Sequence, residues 1–318
     1  LLRVFTRQRA DDASFVVRSL LRSIGEATEE DRETLRRDRA RLPQMPRRPL
    51  TSDEIERILV HPTERGPLRR VLDLSQPLMR RIYEPLSRSA ARATRIGSRT
   101  APQLAELLRQ LQKSIGTGAY HAWLVEQGKQ QIWVEDTAPP SIYIGPQIAG
   151  AIDRPEARFR LSRVMAHLRL AHQLPGRMGA VDLERFISAL LMVVCSSFRS
   201  ELPTAELDAL AERIDKLLTR KLRAQLDSPC LELSERVIDP TLWLTAMTQS
   251  EDRIALSVAG DLQAAIHMLV DEQRARHARG TEDRNARVRQ LLAFAVSDEH
   301  LTLRMRLGIA LTPEGQRS

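Results

Sequence analysis

Residues 119–145 read AYHAWLVEQGKQQIWVEDTAPPSIYIG, and this stretch decides the fold class. From Ala119 to Glu126, and again from Gln130 to Glu135, polar and apolar side chains alternate with the period of a half-buried strand. Gln127-Gly128-Lys129 between them predicts a tight turn and hence a hairpin, and Ser141 to Ile144 predicts a third short strand. On both sides the apolar spacing changes to the three-and-four rhythm of helices. Residues 64–115 read as all-helical, with Leu104, Leu107, Leu108 and Leu111 forming one stripe behind Pro102. Downstream, helices are expected over 155–173, 180–198, 204–226, 240–258, 261–278 and 285–306. The expectation is an α+β protein, predominantly α-helical, with one small three-stranded sheet.

Composition agrees with that expectation. A chain of 318 residues, 42% of them hydrophobic, can bury one large core or two ordinary ones. Aromatics at 4%, with 14 Gly and 17 Pro, disfavour an all-β or low-complexity chain. The longest apolar run, Ala189 to Cys195, falls well short of the roughly 18 residues of a membrane span, so no span is expected. Only two cysteines occur, Cys195 and Cys230, neither in a CxxC or Cys/His metal spacing. They favour a reducing, cytoplasmic setting.

Leu42 to Pro49 holds three prolines within residues 43–49 and reads as a linker. Thr51 followed by Glu54 is a capping-box pattern that opens a new helix. The expected organisation is therefore a helical segment and linker over 1–48 and a helix-rich domain over 49–318. Leu1 stands inside an apparently helical phrase, so the chain is expected to be a fragment of something longer, with 1–42 as the possible end of a helical repeat array.

The formal charge is +8, with 49 basic residues against 41 acidic, and the sequence pI is about 10.2. Lys occurs at four positions only, Lys113, Lys129, Lys216 and Lys221, so 45 of the basic residues are Arg. An Arg, Ala and Leu bias of this kind is what a GC-rich genome produces without selection for polyanions. Arg80, Arg81, Arg88, Arg92, Arg95 and Arg99 nevertheless face a single acid, Glu84. The last four are spaced as on one helical face, which could engage an acidic partner or phosphate through bidentate contacts. A second cluster around Gly280, running from Arg274 to Arg289, reads as an exposed interhelical loop. Trp123, Trp133 and Trp243 read as core or cross-strand packing residues.

Most of the usual enzyme signatures are missing. GxGxxG, GxxxxGK[ST] and GxSxG do not occur, which removes the common dinucleotide, P-loop and α/β-hydrolase chemistries. One phrase, Val164-Met165-Ala166-His167-Leu168-Arg169-Leu170-Ala171-His172, has the outline of a zincin metal helix. A working HExxH sets its histidines four apart on one helical face, with the Glu activating the metal-bound water. Here the separation is five, about 140° around a regular helix, and Leu168 stands where the general base belongs.

The order of Ser141-Ile142-Tyr143-Ile144-Gly145, then Met165-Ala166-His167-Leu168, then Glu251-Asp252-Arg253-Ile254-Ala255 resembles the HtpX-like zinc metallopeptidases over about 140–260. The resemblance implies that His167 stands for the first metal ligand and Asp252 for the supporting Asp. Leu168 replaces the catalytic Glu, Ala171 takes the second-His position with His172 one beyond it, and Thr248 takes the Glu-ligand position. His167, His172, Thr248 and Asp252 are accordingly expected to be vestigial, with no metal, no cofactor and no catalytic residue. Residues 50–308, through Leu50-Thr51-Ser52-Asp53-Glu54, Gly260-Asp261-Leu262 and the 291–299 phrase, are also similar to C-terminal regions of bacterial tetratricopeptide-repeat proteins.

The expected function is a non-catalytic protein-interaction or scaffold module with a pseudo-metallopeptidase core, its partner a protein. The alternatives are a divergent zinc-dependent hydrolase and polyanion or nucleic-acid binding through the Arg stripe.

Overall fold

The structure, a computed structural model, describes residues 2–8, 10–83, 93–126, 131–200, 202, 204–276 and 286–311. It is an α+β protein, mostly helical, whose described residues include one small sheet. No described helix is long and apolar enough to cross a membrane.

The sheet has four strands rather than three: β1 (Ala93–Arg95), β2 (His121–Val125), β3 (Ile132–Glu135) and β4 (Ser141–Ile144), in the order β1-β2-β4-β3. β1 falls inside the region that reads as all-helical. Its Thr94 and the following Ile96 are β-branched, Gly97 ends it, and Ile96 N–H extends the pairing to Ala122 O at 2.9 Å. The expected hairpin of β2 with β3 does not form. β4 lies between them, parallel to β2 and antiparallel to β3. Alternation still governs the faces: Ala122, Ile142 and Ile144 are buried against helices, while Trp123, Tyr143 and Trp133 align in register on the opposite face and stack.

Helix Pro155–Arg169 packs between the sheet side of the molecule, helix Pro102–Ile115 and the long helix Pro240–Ala259. Around it lies one apolar core, which also takes in helices Leu262–Arg276, Ala286–Ala295 and Asp298–Leu307. Phe15, Val16 and Leu35 of the N-terminal helices belong to this same core. The Pro-rich stretch is itself pinned, Arg47 N–H donating to Leu307 O and Leu50 N–H to Ser114 O. Thr51 and Glu54 form the expected capping box. A second core is built by helices Pro67–Ile82, Ala180–Val194, Thr204–Leu217 and Arg220–Ser234. The single helices expected over 204–226 and 285–306 are each resolved as two, broken at 218–219 and 296–297. Helix Pro240–Ala259 serves both cores: Trp243 and Met247 lie in the second, and Ile254 through Leu256 in the first.

Candidate functional site at the seam of the two cores

Three chain segments pass from one core to the other, and each carries an ionisable side chain at the crossing. Val60 lies in the first core and Leu68 in the second, with Glu64 between them. Leu170 and Leu174 flank His172 in the same way, and Ile254 and Met247 flank Glu251. An ionisable group in an apolar seam must be paired, and these three pair with one another.

His172 faces Glu251 Oε1 through Nδ1 and Glu64 Oε1 through Nε2, each at 2.9 Å. With a carboxylate oxygen on each nitrogen, both positions carry a hydrogen and the ring is an imidazolium. Burial works against that charge, but the two hydrogen bonds outweigh it and raise its pKa to about 9. His167 Nδ1 donates to the same Glu251 oxygen at 2.8 Å. Burial opposes ionisation of Glu251 too, and the facing imidazoles overcome it, holding the carboxyl well below the usual range. Glu64 is fully buried, accepts the Ser250 hydroxyl hydrogen, and lies 3.3 Å from Arg69 Nη1. Ser250 Oγ also accepts from His61 N–H at 2.8 Å, which fixes the Pro62–Glu64 turn against the long helix.

The two histidines converge because the helix stops before the second one. Helix Pro155–Arg169 ends four residues earlier than its apolar rhythm predicts. Ala171 is left-handed, with φ 56°. Its N–H donates to Leu168 O, and His172 N–H donates to His167 O. This pair of bonds is a Schellman closure with Ala where Gly is usual. It folds His172 back over the last turn, whereas a continued helix would carry it about 140° away from His167. Gln76 Nε2 donates to Ala171 O at 2.9 Å and holds the strained peptide in place. The candidate ligand atoms of His167, His172 and Glu251 lie within 4.8 Å of one another.

His172 is sealed, but His167 and Glu251 border a cleft of about 520 Å³. Its walls include the β3 residues Ile132, Trp133 and Val134 together with Arg160, Arg163 and Arg177. Gly176 lies against His167: a Cβ there would sit 3.0 Å from the imidazole Cε1.

The other residues singled out in the sequence lie elsewhere. Thr248 turns its hydroxyl to Leu244 O and takes no part in the seam. Asp252, one residue past Glu251, points away from the histidines; it accepts a bidentate pair from Arg287 and lies 3.0 Å from Arg163 Nε. Arg287, expected in an exposed loop, is thus turned inward, while Gly280 and its neighbours lie outside the described residues. The described members of the Arg80–Arg99 set occupy separate elements rather than one helical face. Arg80 and Arg81 end helix Pro67–Ile82, Arg95 ends β1, and Arg99 sits in the turn after it. Arg80 is paired with Asp136. Glu84, Arg88 and Arg92 lie outside the described residues, as do Gln127 to Lys129.

The sequence reading missed Glu251 and Glu64. A signal existed for the first, since Glu251 lies one helical turn past Thr248 and shares its side of the helix. Glu64, 108 residues from His172, carries no such signal. Comparisons with protein-family models, with curated proteins and with solved structures return no match to this chain.

Proposed function

We propose that this chain is a non-catalytic protein-interaction module built on a degenerate metallopeptidase-like core, taking an extended, acidic segment of a partner protein along β3. The observation that carries the reading is Leu168. The residue after the first histidine, where hydrolysis needs a carboxylate base, is leucine, and it is buried in the core. The two carboxylates among the described cleft residues are both engaged, Glu251 by the imidazoles and Glu272 by Arg163 and Arg287. What remains is a binding surface: an edge strand, whose outward backbone groups suit an added strand, lining a cleft that Arg160 and Arg177 also border. Two free, buried cysteines support a cytoplasmic setting, and the resemblance read from the sequence to repeat-protein C-terminal regions supports a scaffold role.

The test uses fluorescence anisotropy with labelled extended peptides, acidic, neutral and basic, followed by mass spectrometry of the peptides after overnight incubation with and without added Zn²⁺. Saturable binding of the acidic set, weakened about tenfold or more by Arg160→Glu, with the peptides intact, is the expected result. Binding indifferent to peptide charge or to Arg160→Glu would remove this reading. Cleaved peptide would install the hydrolase alternative, which the convergence of His167, His172 and Glu251 beside an open cleft favours.

A further inference from the structure

We infer that His167, His172 and Glu251 form a binding site for a divalent first-row transition ion, zinc foremost, with Glu64 as the carboxylate that orients His172. The donor set does not follow the family positions named above. The second histidine comes five residues after the first, through a left-handed turn, and the acidic ligand stands three residues past Thr248.

Four observations carry the assignment. First, donors from two helices and from the turn that ends one of them meet at one point, two nitrogens and one oxygen, which suits a borderline ion such as zinc. Second, the spacing is close to what coordination requires. Ligand atoms each about 2.1 Å from a tetrahedral ion lie roughly 3.4 Å apart, so the 2.8 and 2.9 Å contacts of Glu251 Oε1 need open by about half an ångström, and the widest separation in the set, up to 4.8 Å, needs close by about 1.4 Å. Third, His172 Nε2 donates to a buried carboxylate, the arrangement that fixes ring orientation behind metal-ligating histidines. Ser250 and Arg69 in turn hold Glu64. Fourth, Ala171 sits in a backbone region that costs a non-glycine residue energy, and its effect is to deliver His172 to this point.

The side toward the cleft, where His167 is partly exposed, leaves a fourth coordination position open to water or to a donor atom of the bound segment. Binding displaces the hydrogens that His167 and His172 present to Glu251. The inference stands apart from the peptide-binding reading, because metal content and peptide affinity are measured separately and either can fail alone.

The experiment measures zinc by elemental analysis on the untagged chain after dialysis against a weak chelator, and visible absorption after replacement by Co²⁺. One zinc per chain is expected in the wild type, lost in His167→Ala and in Glu251→Gln, with far-UV circular dichroism confirming that both variants fold. Glu64→Gln, and more mildly Ser250→Ala, are expected to bind the same number of ions with affinity lowered about 10- to 100-fold for the former. Should the variants not fold, the wild type alone decides: adding Zn²⁺ to chelator-stripped protein is expected to raise its Tm in a concentration-dependent way. Equal zinc in wild type and folded His167→Ala, or no Tm response to Zn²⁺, overturns the assignment.

Discussion

At the scale of single residues, the described core tolerates ionisable groups only where a partner is built in, and His300 is the informative exception. It is almost wholly buried, donates from Nδ1 to Ala295 O at 2.9 Å, and lies tilted against the Phe294 ring. Its Nε2 has no hydrogen-bond partner among the described residues. Burial, with Arg304 alongside, lowers its pKa from the ordinary 6.5 to about 4, against weaker opposition from Ala295 O and Asp12. The folded state therefore keeps this ring neutral while the unfolded chain takes up a proton below pH 6.5. Stability from this residue is complete above 6.5 and falls as the pH drops to about 4, by about 3 kcal/mol in all. Urea unfolding across that window is expected to give a flatter pH dependence for His300→Gln than for the wild type. Parallel curves would mean that His300 is protonated in the folded protein. Nothing in the sequence marks this histidine off from the other six, because burial is a property of packing that one chain read alone does not display.

Elements were legible where their own side chains decide them and illegible where a neighbour does. Leu104, Leu108 and Leu111 define a buried face from spacing alone, and helix Pro102–Ile115 follows it. The alternation in β2 and β4 likewise marks both strands. Partner choice is different, because a period of two says which face is apolar and not which strand lies alongside. Ala122 and Leu124 meet Ile142 and Ile144 in parallel register, and that long-range match displaces the local hairpin. The end of helix Pro155–Arg169 was hidden for a related reason. Leu170 and Ala171 are strong helix formers, so the stop reads four residues late, and the candidate site depends on those four residues. Ala171→Gly tests the closure directly. Glycine adopts φ near 56° without the Cβ penalty, so the variant is expected to gain about 1 kcal/mol and to leave His172 in place. A loss of stability instead would mean that residue 171 is helical in solution.

Across the whole molecule, the two ends of the described chain are locked together through one ion pair. Arg304 donates from Nε and Nη2 to the two oxygens of Asp12, both at 2.8 Å, and its side chain is almost fully enclosed. Asp12 also accepts Leu311 N–H at 2.9 Å, and the guanidinium lies over the Phe15 ring. Phe15 and Val16 share a core with Ile142, Ile254 and Leu303, so loosening this pair should be felt well beyond the first helix. Removing one partner of a buried pair strands the other charge, which costs about 3 to 5 kcal/mol, whereas replacing both by apolar groups is often close to neutral. Asp12→Ala is thus expected to lower the urea midpoint strongly, and Asp12→Leu combined with Arg304→Met to recover most of the loss. Tryptophan fluorescence reports it from positions remote from the pair, since Trp123 and Trp133 lie on the sheet and Trp243 at the seam. If the double variant is no better than the single, the pair acts by shape and hydrogen bonding rather than by charge compensation. If only far-UV signal is lost while tryptophan fluorescence stays native, the N-terminal helices fray independently of the core that they help to build.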